Sequence, residues 1–320
     1  MIYIILLLIS FLLTYFIKIF MIKKSLIASV NERSSHTVPT PHGGGIAIAI
    51  TWFIGLFYLY FIGQIETNLF YALLFGAVIS IVSFFDDIYE LSPKLRLIIQ
   101  AIVAIGGLYF LGGFETLTFG IFDIQNSIFT NIFAFFMIIW FINLYNFLDG
   151  INGYAGSEAV FLSIAGFILF GGNHFLVLAV AVLGFLYWNW NKAKIFMGDV
   201  GSTLLGYNVA IFTIYYANQE PTNFWIWIIL FSVYWFDATL TLIRRKLNKE
   251  RLSQAHKKHA YQRLTQAGWS HYKVTNYSIW LNILLFAIVY FISNIFVAFL
   301  LAFIVLVLVM KFIDNKKAFV

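Results

Sequence analysis

The chain has no cysteine, which excludes disulfides, thiolate-bound zinc and thiol catalysis. Charged residues make up only 11% of its 320 positions, where a soluble domain carries about 25%, so a water-facing globule is excluded. The formal charge of +6 is small and scattered over short connections, which argues for anionic lipid head groups or an anionic substrate as partners and against nucleic acid. No internal repeat and no low-complexity linker interrupt the pattern. What remains is apolar: 62% hydrophobic residues, 37 of them Phe, and a mean hydropathy of +0.88.

At roughly 20 residues per membrane-crossing helix, the apolar runs predict eleven spans, at 2–20, 44–62, 68–85, 95–112, 128–147, 157–171, 174–190, 201–217, 222–243, 276–291 and 294–311. Ten is the alternative, because several runs are short or joined by tight turns such as Gly171-Gly172-Asn173. The expected fold is therefore an all-α, polytopic membrane helix bundle, a single integral-membrane domain over 1–320. All 20 Lys and Arg residues can be placed on one side of it, and positive charge marks the cytoplasmic face. The first run, Met1 to Phe20, has no basic leader and no small-residue cleavage site, and Lys18, Lys23 and Lys24 follow it. It reads as a retained helix with its N-terminus outside. The longest basic connection, 244–275, is expected to hold local helix.

The reactive polar residues fall on the same side as the basic ones. Asp86 and Asp87 follow the run Ile79–Phe85, with Lys94 and Arg96 close behind. Adjacent carboxylates at a membrane boundary repel each other and persist where a metal or cationic group uses them, the alternative being a solvated helix cap. Asn143, Asn146 and Asp149 recur every three residues and would share a helix face if the helix runs that far. Gly150 and Gly153 follow, and hard oxygen ligands beside glycines suit Mg²⁺ and phosphate, or else a polar helix terminus. In Phe196-Met197-Gly198-Asp199-Val200-Gly201-Ser202, Asp199 is the best single candidate for a metal ligand. Gly198 and Gly201 leave room for a phosphate beside it, and Phe196 could stack on a base or simply anchor the loop. His256 and His259 would lie on one face of a helix, where with Arg263 they could donate to a diphosphate or sugar; two His residues are weak evidence for zinc. Ser34 to His42 enters Gly43-Gly44-Gly45 through two prolines, and His36 or His42 could meet a phosphate. Asp237, costly in lipid, is expected to pair with Arg244 or Arg245.

Taken together, these islands resemble the polyprenyl-phosphate N-acetylhexosamine-1-phosphate transferases (glycosyltransferase family 4), between Ser34 and Arg263. Five motifs stand in the family's order: Pro39 to Gly45; Asp86-Asp87 with Leu91-Ser92; Asn143, Asn146, Asp149 and Gly150; Phe196 to Ser202; and the His256–His259 loop. The last looks most like the branch that begins lipopolysaccharide O-antigen chains. His42 stands where many relatives have Arg, and Tyr154 where Leu is common.

The resemblance implies transfer of a sugar 1-phosphate from a UDP-N-acetylamino sugar (GlcNAc, GalNAc, or a 6-deoxy form such as FucNAc or QuiNAc) to undecaprenyl phosphate. It implies Mg²⁺, with Mn²⁺ as a substitute, held by Asp199 and Asn146. Asp86, Asp87 and Asp149 would organise the metal and basic side chains, with Asp87 a candidate base. Lys94 and Arg96 would hold the lipid phosphate, Phe196 and Asn152 the uracil, and His256 and His259 the diphosphate and sugar. The active site would lie on the cytoplasmic face of a bacterial inner membrane, in contact with membrane lipids, and a homodimer is one option for assembly. A secondary transporter fits less well, because the acidic clusters gather at inner helix ends rather than at mid-membrane. The cluster that a CDP-alcohol phosphotransferase would need is missing, and a non-catalytic carrier-binding protein remains the other alternative.

Overall fold

The computed structural model describes residues 1–24, 27–28, 40–89, 91–252, 254 and 256–319. The expected phosphate contact at His36, with the rest of 34–39, lies outside the described residues. Helix α1 (Ile2–Lys23) leads to a two-residue antiparallel ladder of β1 (Ile27–Ala28) with β2 (Thr40–Pro41). Then come α2 (Gly45–Phe61), α3 (Thr67–Leu74), α4 (Gly76–Tyr89) and α5 (Pro93–Leu111), followed by a small hairpin, β3 (Leu117–Thr118) and β4 (Asp123–Ile124). The rest is helical: α6 (Ser127–Phe147), α7 (Tyr154–Phe170), α8 (Asn173–Asn189), α9 (Asp199–Gln219), α10 (Asn223–Leu230), α11 (Ser232–Leu247), α12 (Ala260–Gln266), α13 (His271–Phe291) and α14 (Ile295–Lys316).

Local chemistry sets several of these boundaries. Ser92 caps α5 by accepting from the Leu95 amide, Pro93 occupies its first turn, and Gly112 ends it at φ 75°. Asn126, Ser270 and Asn294 cap α6, α13 and α14 in the same way. Six helical segments are long and apolar enough to cross a membrane: α1, α3 with α4, α5, α6, α13 and α14. The bent pair α10–α11 makes a seventh if it is one span, and α2, α7 and α8 are shorter apolar helices. The protein is thus a polytopic helical membrane bundle, and each of the expected apolar runs is helical.

Helix α9 occupies the middle, packed against α2, α4, α6 and α10. From Val200 to Ala217 every residue except Tyr215 is buried. Protein on all sides explains its lower hydropathy: it can carry Ser202, Asn208 and Thr213, because it presents no face to lipid. Helices α1 and α14 behave oppositely and leave Leu8, Leu12 and Phe16, or Leu300, Ile304 and Leu308, on the outside.

Two expectations are corrected. The run 222–243 is not one straight helix, since α10 and α11 meet at a 72° bend beside Phe231. The Phe231 ring is buried against Phe141 and Tyr145 on α6 and Tyr234 on α11, so tertiary packing holds the bend. Asp237 pairs with neither Arg244 nor Arg245. Both its oxygens accept from the Ala260 amide at 2.8 and 2.9 Å, and Oδ1 also accepts from Thr241. It therefore anchors the start of α12.

Candidate active site

Four helix ends converge at one end of the bundle, and backbone contacts between glycines bring them together. The loop before α9 lies along the entry to α2: the Phe196 amide donates to the Pro41 carbonyl at 2.8 Å, Gly44 to Phe196 at 2.9 Å, and Gly45 to Met197 at 2.8 Å. A Cβ on Gly45 would come 2.2 Å from the Gly201 nitrogen, so the first turns of α2 and α9 touch backbone to backbone. Gly45→Ala should therefore separate them. We expect a stability loss of about 1–3 kcal/mol, the usual cost of overpacking, together with loss of activity. Thermal unfolding of the detergent-solubilised protein checks this, and an unchanged midpoint would refute the close-packing argument.

That junction places Asp199, the first residue of α9, beside the last turn of α4. The two neighbouring aspartates there do different things, because adjacent helical residues point about 100° apart. Asp86 is buried at the α4–α5 corner, where Oδ1 accepts from the Leu91 amide at 2.7 Å and Oδ2 from Arg96 at 3.2 Å. Asp87 points inward. Its Oδ1 accepts from the Asp199 amide at 3.4 Å, and its Oδ2 is buried with no hydrogen-bond partner among the described residues. Gly198, at φ +76°, permits this approach, since a Cβ there would lie 2.9 Å from Asp87 Oδ2. Asn146, in the last turn of α6, donates from Nδ2 to Asp199 Oδ1 at 2.8 Å and to Ser202 Oγ at 3.0 Å.

Asp149 follows the end of α6. Burial, reinforced by the charge of Asp199, pushes its carboxyl up to about 7. His42 stands 3.9 Å from Asp87 Oδ2, but burial lowers its pKa against the opposing pull of Asp199. Burial thus weakens the imidazole as a cationic partner for Asp87. Arg96, with nearly half of its side chain exposed, pairs with Asp86, and Lys94 is exposed in the first turn of α5. Among the described residues, four carboxylates thus face this end with little internal positive charge. Such a site is suited to an arriving cation and held-in-place anions, not to fold stability.

The remaining expected residues divide. The proposed stripe stops at Asn146, because α6 ends at Phe147 and Asp149 lies beyond it; the Asn143 amide pairs with Gln100 on α5. Among the described residues, Asn152 Oδ1 is buried without a partner, while its carbonyl accepts from Thr275 at 3.0 Å. Phe196 is half-buried in the loop before α9. His256 and His259 do not share a helix, since His259 is the N-cap of α12. Their rings nevertheless lie 4.8 Å apart, and the His259 ring stacks on Phe147, so the pair borders the end of α6. Burial, then the neighbouring His259 and Arg245, lowers His256 to about 4. Arg263 is held elsewhere: it is buried, with its guanidinium on Asp314 and the Lys317 carbonyl.

Among the described residues, no three His, Asp or Glu side chains form a group that could hold a metal by themselves. Tyr261 is a contributor without a sequence signal. Its hydroxyl donates to the Phe147 carbonyl at 3.2 Å, and Gly150 leaves space for its ring.

A family model described as glycosyl transferase family 4 matches residues 69–217, which include Asp86, Asp87, Asn146, Asp149, Asn152, Phe196, Gly198 and Asp199. The chain is 33% identical over 274 residues to the probable undecaprenyl-phosphate N-acetylglucosaminyl 1-phosphate transferase of Bacillus subtilis (strain 168), covering 81% of this chain and 75% of that protein. It is 31% identical over 202 residues to the undecaprenyl-phosphate alpha-N-acetylglucosaminyl 1-phosphate transferase of Thermotoga maritima, covering 62% and 60%. A phospho-N-acetylmuramoyl-pentapeptide-transferase of Streptococcus pneumoniae (strain Taiwan19F-14) is 31% identical over 230 residues, covering 64% and 67%.

Proposed function

This chain belongs to glycosyl transferase family 4, and from that premise we propose that it transfers an N-acetylamino-sugar 1-phosphate from a UDP-sugar to undecaprenyl phosphate. An oxygen of the lipid phosphate attacks the phosphorus that carries the sugar. The bond from that phosphorus to UMP breaks, leaving undecaprenyl-diphospho-sugar and UMP. The observation that carries this reading is the meeting of Asp87 and Asp199, 112 residues apart, with Asn146 on one carboxylate.

The donor set fits a hard divalent ion, because among the described residues Asp87 Oδ2 is buried without a donor and burial weakens His42 beside it as a cation. Mg²⁺, with Mn²⁺ as a substitute, usually takes one or two protein oxygens and completes its shell with water and substrate phosphates. Asp199 and Asn146 would hold it, the amide turning Oδ1 instead of Nδ2 toward the ion. When bound, it would offset charge on the diphosphate and on departing UMP.

The protein's own groups position the reactants. Asp87 fixes the Asp199 amide, and Asp149 lies behind it at the α6 terminus. Lys94 and Arg96 lie where a lipid phosphate would approach from the membrane edge. Phe196 and the unpaired Asn152 oxygen would take the uracil, with His256 and His259 beside the diphosphate and sugar. The asymmetry of Lys and Arg supports a cytoplasmic site in a bacterial inner membrane, with the N-terminus outside. UDP-GlcNAc is the first donor to test, given the names of two relatives. UDP-GalNAc and the 6-deoxy donors follow, with the product initiating an O-antigen-like surface polysaccharide.

Purified protein given undecaprenyl phosphate, Mg²⁺ and these donors should release UMP with at least one of them. Excess EDTA should stop release, and added Mg²⁺ should restore it. Full turnover in EDTA would reject the metal assignment, and no UMP from any donor would reject the reaction.

A further inference from the structure

Two neighbouring arginines at the end of α11 diverge into two separate clamps. Arg245, 1% exposed, turns inward, where it meets Glu250 at 3.0 Å and donates to the carbonyls of Arg251, Leu252 and Gln254. Glu250 also takes Lys258 at 2.7 Å, which lowers its pKa. Arg244 turns the other way and makes two parallel 2.9 Å bonds to Asp314 on α14. The same carboxylate takes Arg263 of α12. The ring of Phe319, just beyond α14, lies 5.3 to 5.6 Å from Arg244, Lys258 and Arg263 together.

Nothing in the proposed reaction uses these contacts, yet they bracket the segment that carries both histidines. Residues 256–259 have no helix of their own. On one side Lys258 is held by Glu250 and Phe319, and on the other α12 is held to α14 through Arg263. Helix α12 in turn bears on the α6 terminus, through Tyr261 on the Phe147 carbonyl and His259 on the Phe147 ring.

We infer that Asp314 and Phe319 form a latch that positions the His256–His259 segment over the site, so that Asp314 is a positioning residue for binding of the sugar-nucleotide donor. This rests on the transferase reading above. Two guanidinium ions drawn from different helices share one carboxylate, and removing its charge leaves them mutually repulsive and underpaired. Helix α12 would then swing about its Asp237 anchor, carrying the histidines off the donor, while the Asp87–Asp199 junction, which shares none of these contacts, stays assembled.

The test compares wild type with Asp314→Asn, Asp314→Glu and Phe319→Leu in the UMP-release assay, varying donor and acceptor separately. For Asp314→Asn we expect the donor KM to rise about tenfold, within the range seen when positioning groups are lost, while kcat and the acceptor KM stay within about threefold. Asp314→Glu should recover most of the donor KM, and Phe319→Leu should raise it by less than Asp314→Asn does. An unchanged donor KM in both Asp314→Asn and Phe319→Leu overturns the latch. So does a fall in kcat alone, or a loss that Asp314→Glu does not recover. If Asp314→Asn does not fold, Phe319→Leu decides, because it keeps the carboxylate and much of the apolar volume. A wild type inactive with every donor would sink the transferase reading instead, so the two failures are distinguishable.

Discussion

Asp199→Asn should reduce UMP release by about a thousandfold or more, the scale on which removing one charge-stabilising group acts on a polar transition state, while the bundle stays folded. The substitution keeps shape and an acceptor oxygen, so Asn146 can still donate to position 199 and Thr203 can still donate to its carbonyl. What goes is a negative charge shared with Asp87 and Asp149, and those carboxylates repel one another in the unliganded protein. Stability should therefore hold or rise as activity falls, the signature of a residue kept for chemistry. The measurements are UMP release, UDP-sugar binding and the unfolding midpoint of the same preparation. Activity within a few-fold of wild type would remove Asp199 as the metal ligand. A large fall in midpoint alongside lost activity would make it a structural residue instead.

How far the sequence alone reaches depends on whether a feature is local. Apolar runs, helix caps and basic connections depend on neighbours in the chain, so the helices could be read directly, including α9 with its polar residues. The division of labour between Asp86 and Asp87 could not. It depends on Arg96 and Leu91 taking one carboxylate and on the Gly45–Gly201 contact bringing Asp199 to the other. Periodicity did not carry to Asp149, which lies past the end of α6, nor to the two histidines, which are close because His259 caps α12 and not because a helix aligns them. Pairing by nearness in sequence failed at Asp237, whose nearest arginines were drawn away to Glu250 and to Asp314, 70 residues from Arg244. The bend beside Phe231 has no proline or glycine to announce it. The convergence of the acidic motifs was legible only through their resemblance to a family, since nothing in spacing brings residues 87 and 199 together.

Asp87→Asn should cost about a hundredfold or more in transfer rate, and the loss should be the same from about pH 6.5 to pH 9. The second pKa of a phosphate monoester is about 6, so across that range the lipid phosphate is already mostly a dianion and needs no base. If Asp87 did remove a proton in the slow step, its absence would matter less as pH rose, because the acceptor would lose that proton to solvent, and the wild-type to variant ratio would shrink toward one. A positioning role gives no such convergence. Asn at 87 can still accept from the Asp199 amide, but it puts an uncharged group where Oδ2 now lies against Gly198 without a partner. A bound cation would hold Asp87 ionised across this range, so the variant would lose attraction for positive charge to the same extent at each pH. Parallel pH–rate profiles support Asp87 as the group that draws a cation toward Asp199, whereas profiles that converge at high pH would make it the general base.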